Sequence, residues 1–411
     1  MNMSTFATHC RICKKITKKF FDLGRQPLAN SLLKRPRQIE KKYPLALNWC
    51  DYCSLVQLNY TVDPKKLFSK YVWVTGTSRA AKDFSSDFYK ELVKRIPGSR
   101  NGYVLEVASN DGTFLLPFAK NGYRVHGVDP ATNIVKLAIK NGVPTKTEFW
   151  GVKAARKMLY ETGSARIVFA RNVLAHVANI KDFVSGLSLI LASDGVLAIE
   201  VHYAGKILKE LQYDSIYHEH LCYFTFKPLE RLLNEAGLFV FDVMEGPISG
   251  GALIIYASKN RRKERAAVKS LRSCEEQGGL YNFKAWQNFA ARAFAHRKEF
   301  LSMLTKIMKD GTPVVGWGAS ARSSTLLNFC GIDSKFIPVI ADQNKLKQGL
   351  FTAGSHIPIK SPEMAMKINP KLVVILGWNF TGEIMKSLKN EFDYHSDCLV
   401  PLPTWPRILK L

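Results

Sequence analysis

Short apolar runs alternate with helical segments between residues 101 and 257, and this alternation constrains the fold more than any other feature of the sequence. Strands that alternate with helices form mostly parallel sheets, which helices cover on both faces. We therefore predict an α/β domain in this part of the chain. The apolar runs span residues 103–108, 124–128, 167–170, 195–201, 240–244 and 252–258.

A second, shorter block of the same kind lies nearer the carboxyl end. Its apolar runs begin at Val314, continue through 336–341 and reach 372–377, which indicates a smaller α/β unit. Between the two blocks, apolar residues recur at helical spacing over residues 260–309. Together these patterns predict four parts, which span residues 1–70, 71–257, 258–310 and 311–411.

Two Cys-x-x-Cys pairs lie in the first of these parts, where helical periodicity is weak. Each pair can chelate a metal from one tight turn, and four thiolates satisfy a tetrahedral zinc ion. Because four protein ligands leave no open position for catalysis, we predict a structural zinc that stabilises its module. A redox dithiol or a chance pairing is the alternative. The predicted ligands are Cys10, Cys13, Cys50 and Cys53.

The chain is strongly basic, with 59 Lys and Arg residues against 34 Asp and Glu residues and a formal net charge of +25. Such a charge suits a polyanion, a membrane surface or a phosphorylated substrate. The basic residues are scattered, and the basic stripe with interleaved aromatic residues that nucleic-acid binding needs is missing. The sequence begins without the apolar core of a secretory signal, and no run reaches the roughly 18 apolar residues of a membrane span. We therefore expect a cytoplasmic protein without nucleic-acid or membrane partners, a monomer with a dimer left open.

The first predicted strand of the larger block ends in a turn of small residues that opens a helix, at residues 104–113. Such a turn lets the backbone approach a ligand at the carboxyl edge of a parallel sheet. Asp129 ends the next strand, where a carboxylate can hold two ribose hydroxyls, and Asn172 follows the third run. Three motifs in this order resemble a class I S-adenosylmethionine methyltransferase, with a nicotinamide-binding fold as the alternative. The predicted cofactor contacts are Glu106, Ser109, Asn110, Asp111, Asp129 and Asn172.

The run Tyr217-His218-Glu219-His220 places four titratable side chains together between apolar residues. Burying such groups is costly unless they are paired, so their density indicates a function. A histidine suits proton abstraction near neutral pH, a glutamate can orient it, and a tyrosine can donate to a developing oxyanion. The isolated His126 and His202 are interpreted as core residues instead.

The whole chain resembles the nucleotide-sugar 3-C-methyltransferases that make branched deoxysugars. The resemblance rests on the four cysteines, on residues 71–78, 110–113, 217–220 and 316–319, and on the motifs at 347–349, 356–358 and 377–379. It implies a class I methyltransferase Rossmann-like domain between an N-terminal zinc-binding module and a second, C-terminal Rossmann-like α/β domain.

The reaction that this resemblance implies is methyl transfer from S-adenosylmethionine to C3 of a TDP-, GDP- or CDP-linked 4-keto-6-deoxy sugar. A base removes the C3 proton, which the C4 ketone acidifies, and the enolate carbon attacks the methyl group. The resemblance makes His220 the general base and adds four active-site residues, namely Tyr217, Glu219, Tyr71 and His176.

The second α/β block carries a Gly-rich turn after its first strand, suited to close backbone approach or to phosphate contact. The resemblance implies that this unit holds the nucleotide diphosphate, and a packing turn is the alternative. The candidate contacts are Gly316, Gly318, Arg322, Asp342 and Lys347.

Two other functions stay open at this point. A zinc-containing RNA methyltransferase or nucleic-acid binder would fit the net charge and the cysteine pairs, and its RNA binding would depend steeply on salt. A nicotinamide-dependent sugar oxidoreductase would use the Gly316 turn, with Asp342 as its ribose ligand, and would bind NAD saturably.

Overall fold

The computed structural model describes residues 5–36, 38–69, 73–96, 102–247 and 250–411. Among the helices in these ranges, none combines the length and the apolarity that a bilayer crossing needs. The strands are β1 (Thr5–Phe6), β2 (Lys18–Pro27), β3 (Lys42–Trp49), β4 (Val56–Leu58), β5 (Tyr60–Thr61), β6 (Tyr103–Val107), β7 (Arg124–Asp129), β8 (Thr145–Thr147), β9 (Ala165–Arg171), β10 (Leu191–His202), β11 (Cys222–Tyr223), β12 (Phe239–Gly246), β13 (Ala252–Ser258), β14 (Val314–Trp317), β15 (Ile340–Ala341), β16 (Ile359–Lys360), β17 (Leu372–Ile375), β18 (Asp397–Val400) and β19 (Arg407–Leu409). The helices are α1 (Pro64–Phe68), α2 (Arg79–Val93), α3 (Leu116–Lys120), α4 (Thr132–Lys140), α5 (Val152–Thr162), α6 (Ile180–Ile190), α7 (Ala204–Lys209), α8 (Phe226–Glu235), α9 (Ala266–Gln277), α10 (Phe283–Lys309), α11 (Ala321–Cys330), α12 (Pro362–Met366) and α13 (Thr381–Phe392).

The largest sheet has seven strands in the order β12-β13-β10-β9-β6-β7-β8. Strands β10, β9, β6, β7 and β8 run parallel, whereas β13 is antiparallel to both of its neighbours. The strand order reverses between β6 and β9. Ligands of open α/β sheets bind at such a switch point, beyond the carboxyl ends of the strands.

Successive side chains of β6 enter two different cores, as the two-residue period of a strand requires. Leu105 and Val107 belong to one core, and Val104 packs with Phe84 and Phe88 of α2 in the other. Because both faces are covered, all five residues of β6 are buried, and all but Glu106 are apolar or aromatic.

The N-terminal module contains a four-stranded antiparallel sheet in the order β11-β4-β3-β2. Its edge strand β11 comes from far along the chain, because Cys222 pairs with Gln57 and Tyr223 with Val56. Residues 217–220 lie just before β11. This pairing therefore fastens the segment with the titratable cluster to the N-terminal module.

The C-terminal unit is a six-stranded sheet in the order β16-β15-β14-β17-β18-β19, parallel except for β19. Helix α11 follows β14 and begins with a capping box between Ser320 and Ser323. The helix ends at Gly331, which adopts a φ of 72° that an L side chain rarely takes. The Gly-rich turn thus joins a strand to a helix at the carboxyl edge of this second sheet.

The predicted fold class is confirmed, with two differences in detail. The run 336–341 forms a strand only at Ile340–Ala341, since the carbonyl of Asp333 accepts from the amides of Phe336 and Ile337 and holds them in a turn. The helical region 260–309 contains two helices, because Gly278 ends α9 and Gly279 turns the chain at a φ of 68°. The four-part division of the chain stays a prediction.

Candidate active site and metal centre

A continuous cleft of about 1370 Å³ lies where the N-terminal module, the seven-stranded sheet and the C-terminal unit meet. It joins the predicted cofactor turn, the titratable cluster and loops of the second sheet. Residues from all three parts line it, among them Asn30, Glu106, Asp129, His220, Arg322 and Lys347.

The turn after β6 approaches the cleft through two residues with positive φ, Ala108 at 59° and Asn110 at 50°. Asp129, at the end of β7, holds this turn: its carboxylate accepts hydrogen bonds from the amides of Asn110 at 3.0 Å and Ala131 at 2.9 Å. Burial raises the pKa of Asp129, and the two backbone donors oppose the rise. A carboxylate is thereby fixed on the cleft wall at the end of β7, the strand beside the switch point.

Two oxygen atoms at this turn, Glu106 Oε2 and Ser109 Oγ, are buried without a hydrogen-bond partner among the described residues. Both residues line the cleft. Burial raises the pKa of Glu106 well above its usual range, and Arg171 opposes the rise. Buried polar atoms are normally paired, so these oxygens fit a polar ligand that completes their hydrogen bonds.

Asp111 and Asn172, which were also predicted to contact the cofactor, differ in their placement. Asp111 does not line the cleft, and its carboxylate accepts from the amide of Gly76 at 3.0 Å and the hydroxyl of Thr113 at 2.7 Å. It therefore holds the chain before α2 against the cofactor turn. Asn172 lines the cleft at a φ of 49° and donates from its side chain to Glu200 at 3.0 Å.

His220 and Tyr217 form a hydrogen-bonded pair on the cleft wall. His220 Nδ1 lies 2.9 Å from the carbonyl oxygen of Ser215, and since a carbonyl only accepts, Nδ1 carries the proton of the neutral ring. Nε2 is then the unprotonated nitrogen, and it accepts a hydrogen bond from the Tyr217 hydroxyl at 2.8 Å. The pair presents a basic nitrogen and a phenol hydroxyl at one place.

The surroundings keep both members of this pair neutral. Burial lowers the pKa of His220 well below its usual range, and the neighbouring His176, His202 and Arg322 lower it further. The rings of His176 and His220 lie 5.0 Å apart, and burial lowers the pKa of His176 to about 4. Burial also raises the pKa of Tyr217. Near neutral pH the imidazole can accept a proton and the phenol can donate a hydrogen bond.

Glu219 borders the cleft and is held by the N-terminal module. Its Oε1 accepts a hydrogen bond from Asn30 Nδ2 at 2.6 Å. Asn30 also lines the cleft, although no role was predicted for it from the sequence. The contact spans 189 residues, so no local pattern could have indicated it.

Arg322 of α11 joins the C-terminal unit to the segment that carries His220. Its guanidinium forms a two-pronged ion pair with Asp214, at 2.9 and 3.0 Å. Trp378 Nε1 donates to the same carboxylate at 2.7 Å. Asp214 lies just before Tyr217, so these contacts hold the start of the segment that carries Tyr217 and His220. Asp214 was not predicted from the sequence, whereas Trp378 lies in one of the motifs that carry the resemblance.

The other residues predicted to hold the nucleotide divide into two groups. Lys347 lines the cleft and donates from Nζ to the carbonyl of Ala319 at 2.8 Å. Asp342 accepts from the amide of Ala319 at 2.9 Å and shapes the turn without lining the cleft. Gly316 and Gly318 do not line it either, and each permits close packing, because an added Cβ would have neighbours at 3.0 Å.

The four predicted metal ligands form one cluster. The Sγ atoms of Cys10, Cys13, Cys50 and Cys53 all lie within 4.8 Å of one another. Zinc–sulfur bonds of about 2.3 Å in a tetrahedron place the sulfurs roughly 3.8 Å apart, so the cluster has the size and the donor set of a structural zinc site. Tyr71, predicted as an active-site residue, lies outside the described residues.

Comparison with protein families gives three matches along the chain. Residues 10–68 match the family described as "Putative zinc binding domain", residues 81–243 the family "Methyltransferase domain", and residues 247–403 the family "C-methyltransferase C-terminal domain". These matches and the geometry above confirm S-adenosylmethionine and zinc as the cofactors.

Two solved structures that match each cover less than half of the chain. The magnesium protoporphyrin IX methyltransferase of Synechocystis PCC 6803 with bound S-adenosylmethionine is 14% identical, with 44% of this chain and 80% of that one covered and a TM-score of 0.33. An S-adenosylmethionine-dependent methyltransferase of Anabaena variabilis is also 14% identical, with 46% and 88% covered and a TM-score of 0.38.

A relative matches along nearly its full length. The C-methyltransferase NovU of Streptomyces niveus is 32% identical over 408 residues, which cover 98% of this chain and 96% of NovU. The chain therefore belongs to the zinc-binding family of S-adenosylmethionine-dependent C-methyltransferases that includes NovU.

Proposed function

We propose that this enzyme methylates C3 of a nucleotide-linked 4-keto-6-deoxy sugar. The observation that carries the proposal is the Tyr217–His220 pair, a neutral imidazole nitrogen and a phenol hydroxyl 2.8 Å apart in the same cleft as the cofactor turn. A proton on a carbon next to a ketone needs a base and a partner for the enolate oxygen together. This pair can supply both.

His220 Nε2 takes the C3 proton, and the electron pair of the broken C–H bond moves onto the C4 oxygen. As the proton arrives at Nε2, the Tyr217 hydroxyl turns from the imidazole to the enolate oxygen. When bound, S-adenosylmethionine supplies the electrophilic methyl group that C3 attacks. Burial and the charge of Arg322 disfavour protonation of His220 when no enolate is present. When the enolate forms, its negative charge balances the positive charge of the imidazolium.

The cofactor residues have separate roles in this proposal. Asp129 holds the ribose hydroxyls, and Glu106 and Ser109 use their unpartnered oxygens for polar groups of the cofactor. Asn110 and Asn172 shape the adjoining wall. His176 and Tyr71 complete the active site, and Asp111 acts by keeping the turn in place.

The nucleotide diphosphate binds at the start of α11. This helix has ten residues, and Ser320 and Ala321 at its N-terminus border the cleft. A helix N-terminus favours an anion, and Lys347, which also pairs with Asp342 at 3.3 Å, places a cation beside it. The sugar then extends from these loops toward His220.

The test supplies label in the methyl group of S-adenosylmethionine together with TDP-, GDP- and CDP-linked 4-keto-6-deoxy sugars. We expect one of them to gain a single methyl group on C3, seen by mass spectrometry and NMR. Methylation on oxygen, or no product from any sugar, would contradict the proposal.

The role of His220 has its own experiment. With S-adenosylhomocysteine bound, the enzyme should exchange the C3 proton of the sugar for solvent deuterium. His220→Gln should abolish exchange and turnover while cofactor binding in calorimetry persists, and His126→Gln, outside the cleft, is the control. Continued exchange in His220→Gln would reject this histidine as the base.

A further inference from the structure

His202 is the last residue of β10 and lines the cleft. Its ring lies 6.1 Å from that of His220, and only 9% of its surface is exposed. From its isolated position in the sequence, His202 was interpreted as a core residue, which implies no contact with a ligand. The structure instead puts it on the cleft wall.

The hydrogen bonds of Gln212 determine which nitrogen of His202 carries the proton. Gln212 is fully buried, and its Nε2 donates to a carboxylate oxygen of Glu210 at 2.6 Å and to the carbonyl of Gly250 at 2.9 Å. Its Oε1 accepts from Arg322 at 2.9 Å. These partners fix the orientation of the amide, because the carbonyl cannot donate and the guanidinium cannot accept.

His202 Nε2 lies 3.2 Å from the same Gln212 Oε1 and must therefore be the donor. A neutral imidazole has one N–H, so Nδ1 keeps its lone pair. Burial, with a contribution from Arg322, lowers the pKa of His202 to about 3, and the ring stays neutral near pH 7. Nδ1 has no hydrogen-bond partner among the described residues and is not sealed off from the cleft.

We propose that His202 Nδ1 accepts a hydrogen bond from a sugar hydroxyl beside the reacting centre, on C3 itself or on C2. This inference rests on the proposed function. His202 lies beside the base on one side and shares Gln212 with Arg322 of the nucleotide-binding unit on the other. An acceptor fixed between His220 and Arg322 can recognise a hydrogen-bond donor on the sugar ring. The adjacent guanidinium of Arg322 favours a neutral hydroxyl over an ammonium group as that donor.

Two variants separate this binding role from a structural one. His202→Gln can keep a donor for Gln212 Oε1 but has no acceptor at the position of Nδ1. His202→Asn can place an acceptor near that position and loses the bond to Gln212. A structural role predicts damage from the Asn variant, whereas a binding role predicts damage from the Gln variant.

The experiment compares kcat/KM for the hydroxylated 4-keto sugar with that for its 2-deoxy and 3-deoxy analogues. We expect wild type to prefer the hydroxylated sugar over one of the analogues by about tenfold, which is the worth of one hydrogen bond. His202→Gln should lose that preference, because kcat/KM should fall more for the hydroxylated sugar than for the deoxy analogue, and His202→Asn should retain part of it. The analogue that shows the effect identifies the hydroxyl.

Failure of this inference can be distinguished from failure of the proposed function. If wild type methylates the sugars but His202→Gln keeps the full preference, or if wild type shows none, the role of His202 is wrong and the function stands. If wild type methylates none of the 4-keto sugars, both are overturned.

Discussion

Asn30 Nδ2 donates a 2.6 Å hydrogen bond to Glu219 Oε1. Asn30 lies between the two cysteine pairs, whereas Glu219 is next to the proposed base His220. Because only 5% of Glu219 is exposed, loss of this donor would remove a charge-assisted hydrogen bond from a buried carboxylate. The module with the four cysteines thus helps to build the proposed active site.

We expect Asn30→Ala to lower kcat by about tenfold, the effect of losing one such hydrogen bond, while the affinity for S-adenosylmethionine changes little. Steady-state kinetics and calorimetry measure the two quantities. Asn390→Ala, at an exposed position of α13, is the matched control. An unchanged kcat in Asn30→Ala would show that the contact does not support catalysis.

Loss of one zinc ligand should damage both the module and the active site. We expect Cys53→Ser to reduce bound zinc from one ion per chain to nearly none and to lower turnover strongly, because β11 pairs with β4 of the same sheet. Metal analysis and methyltransfer assays provide the measurements. Cys274→Ser, at an exposed cysteine outside the cluster, should keep zinc and activity. Normal turnover in zinc-free Cys53→Ser would show that turnover does not depend on the bound metal.

Much of the fold could be predicted because local patterns encode it. Strand β6 is buried on both faces and therefore appears as an apolar run, and the Cys-x-x-Cys pairs sit in turns that bring their sulfurs together. Strand β8 was not predicted, since this edge strand of three residues, Thr145–Thr147, has no apolar side chain.

The contacts that assemble the active site could not be predicted from local patterns. Arg322 and Asp214 are 108 residues apart, and Asn30 and Glu219 are 189 residues apart. The sequence contains each side chain but no periodicity or motif that pairs them. For the same reason the isolated His202 gave no signal, because its position beside Gln212 and His220 depends on how separate segments pack.

The buried histidines should make the folded protein less stable in mild acid. Burial lowers the pKa of His218 to about 4, well below the ordinary value near 6.5, so between these values the unfolded chain binds a proton that the native protein does not. Stability therefore falls as the pH drops through this window, by up to about 1.4 kcal/mol per pH unit for one histidine.

His218→Gln should reduce this loss, because a glutamine can still donate to the carbonyl of Pro44, which lies 3.2 Å from His218 Nε2, and it does not titrate. Between about pH 7 and pH 5, the thermal midpoint of wild type should fall more than that of the variant. The difference between the two thermal midpoints at each pH removes the effect of zinc release in acid, because that effect is common to both proteins. His395→Gln, at an exposed histidine, should follow wild type. Parallel curves for His218→Gln and wild type would reject a neutral buried His218.

Asp129 and Asp111 should differ in how they affect the cofactor, although both belong to the same turn. Asp129 lines the cleft, and its replacement removes the proposed hydrogen bonds to two ribose hydroxyls as well as the acceptor for the amides of Asn110 and Ala131. Asp129→Ala should therefore weaken S-adenosylmethionine binding by roughly 10- to 100-fold in calorimetry.

Asp111→Asn leaves the cleft wall in place and retains an oxygen for the Thr113 hydroxyl, so its affinity for S-adenosylmethionine should fall less than that of Asp129→Ala. Thermal midpoints measured without cofactor show whether either variant is misfolded. Equal losses of affinity in two folded variants would mean that Asp129 acts only by holding the turn, and direct contact with the ribose would be excluded.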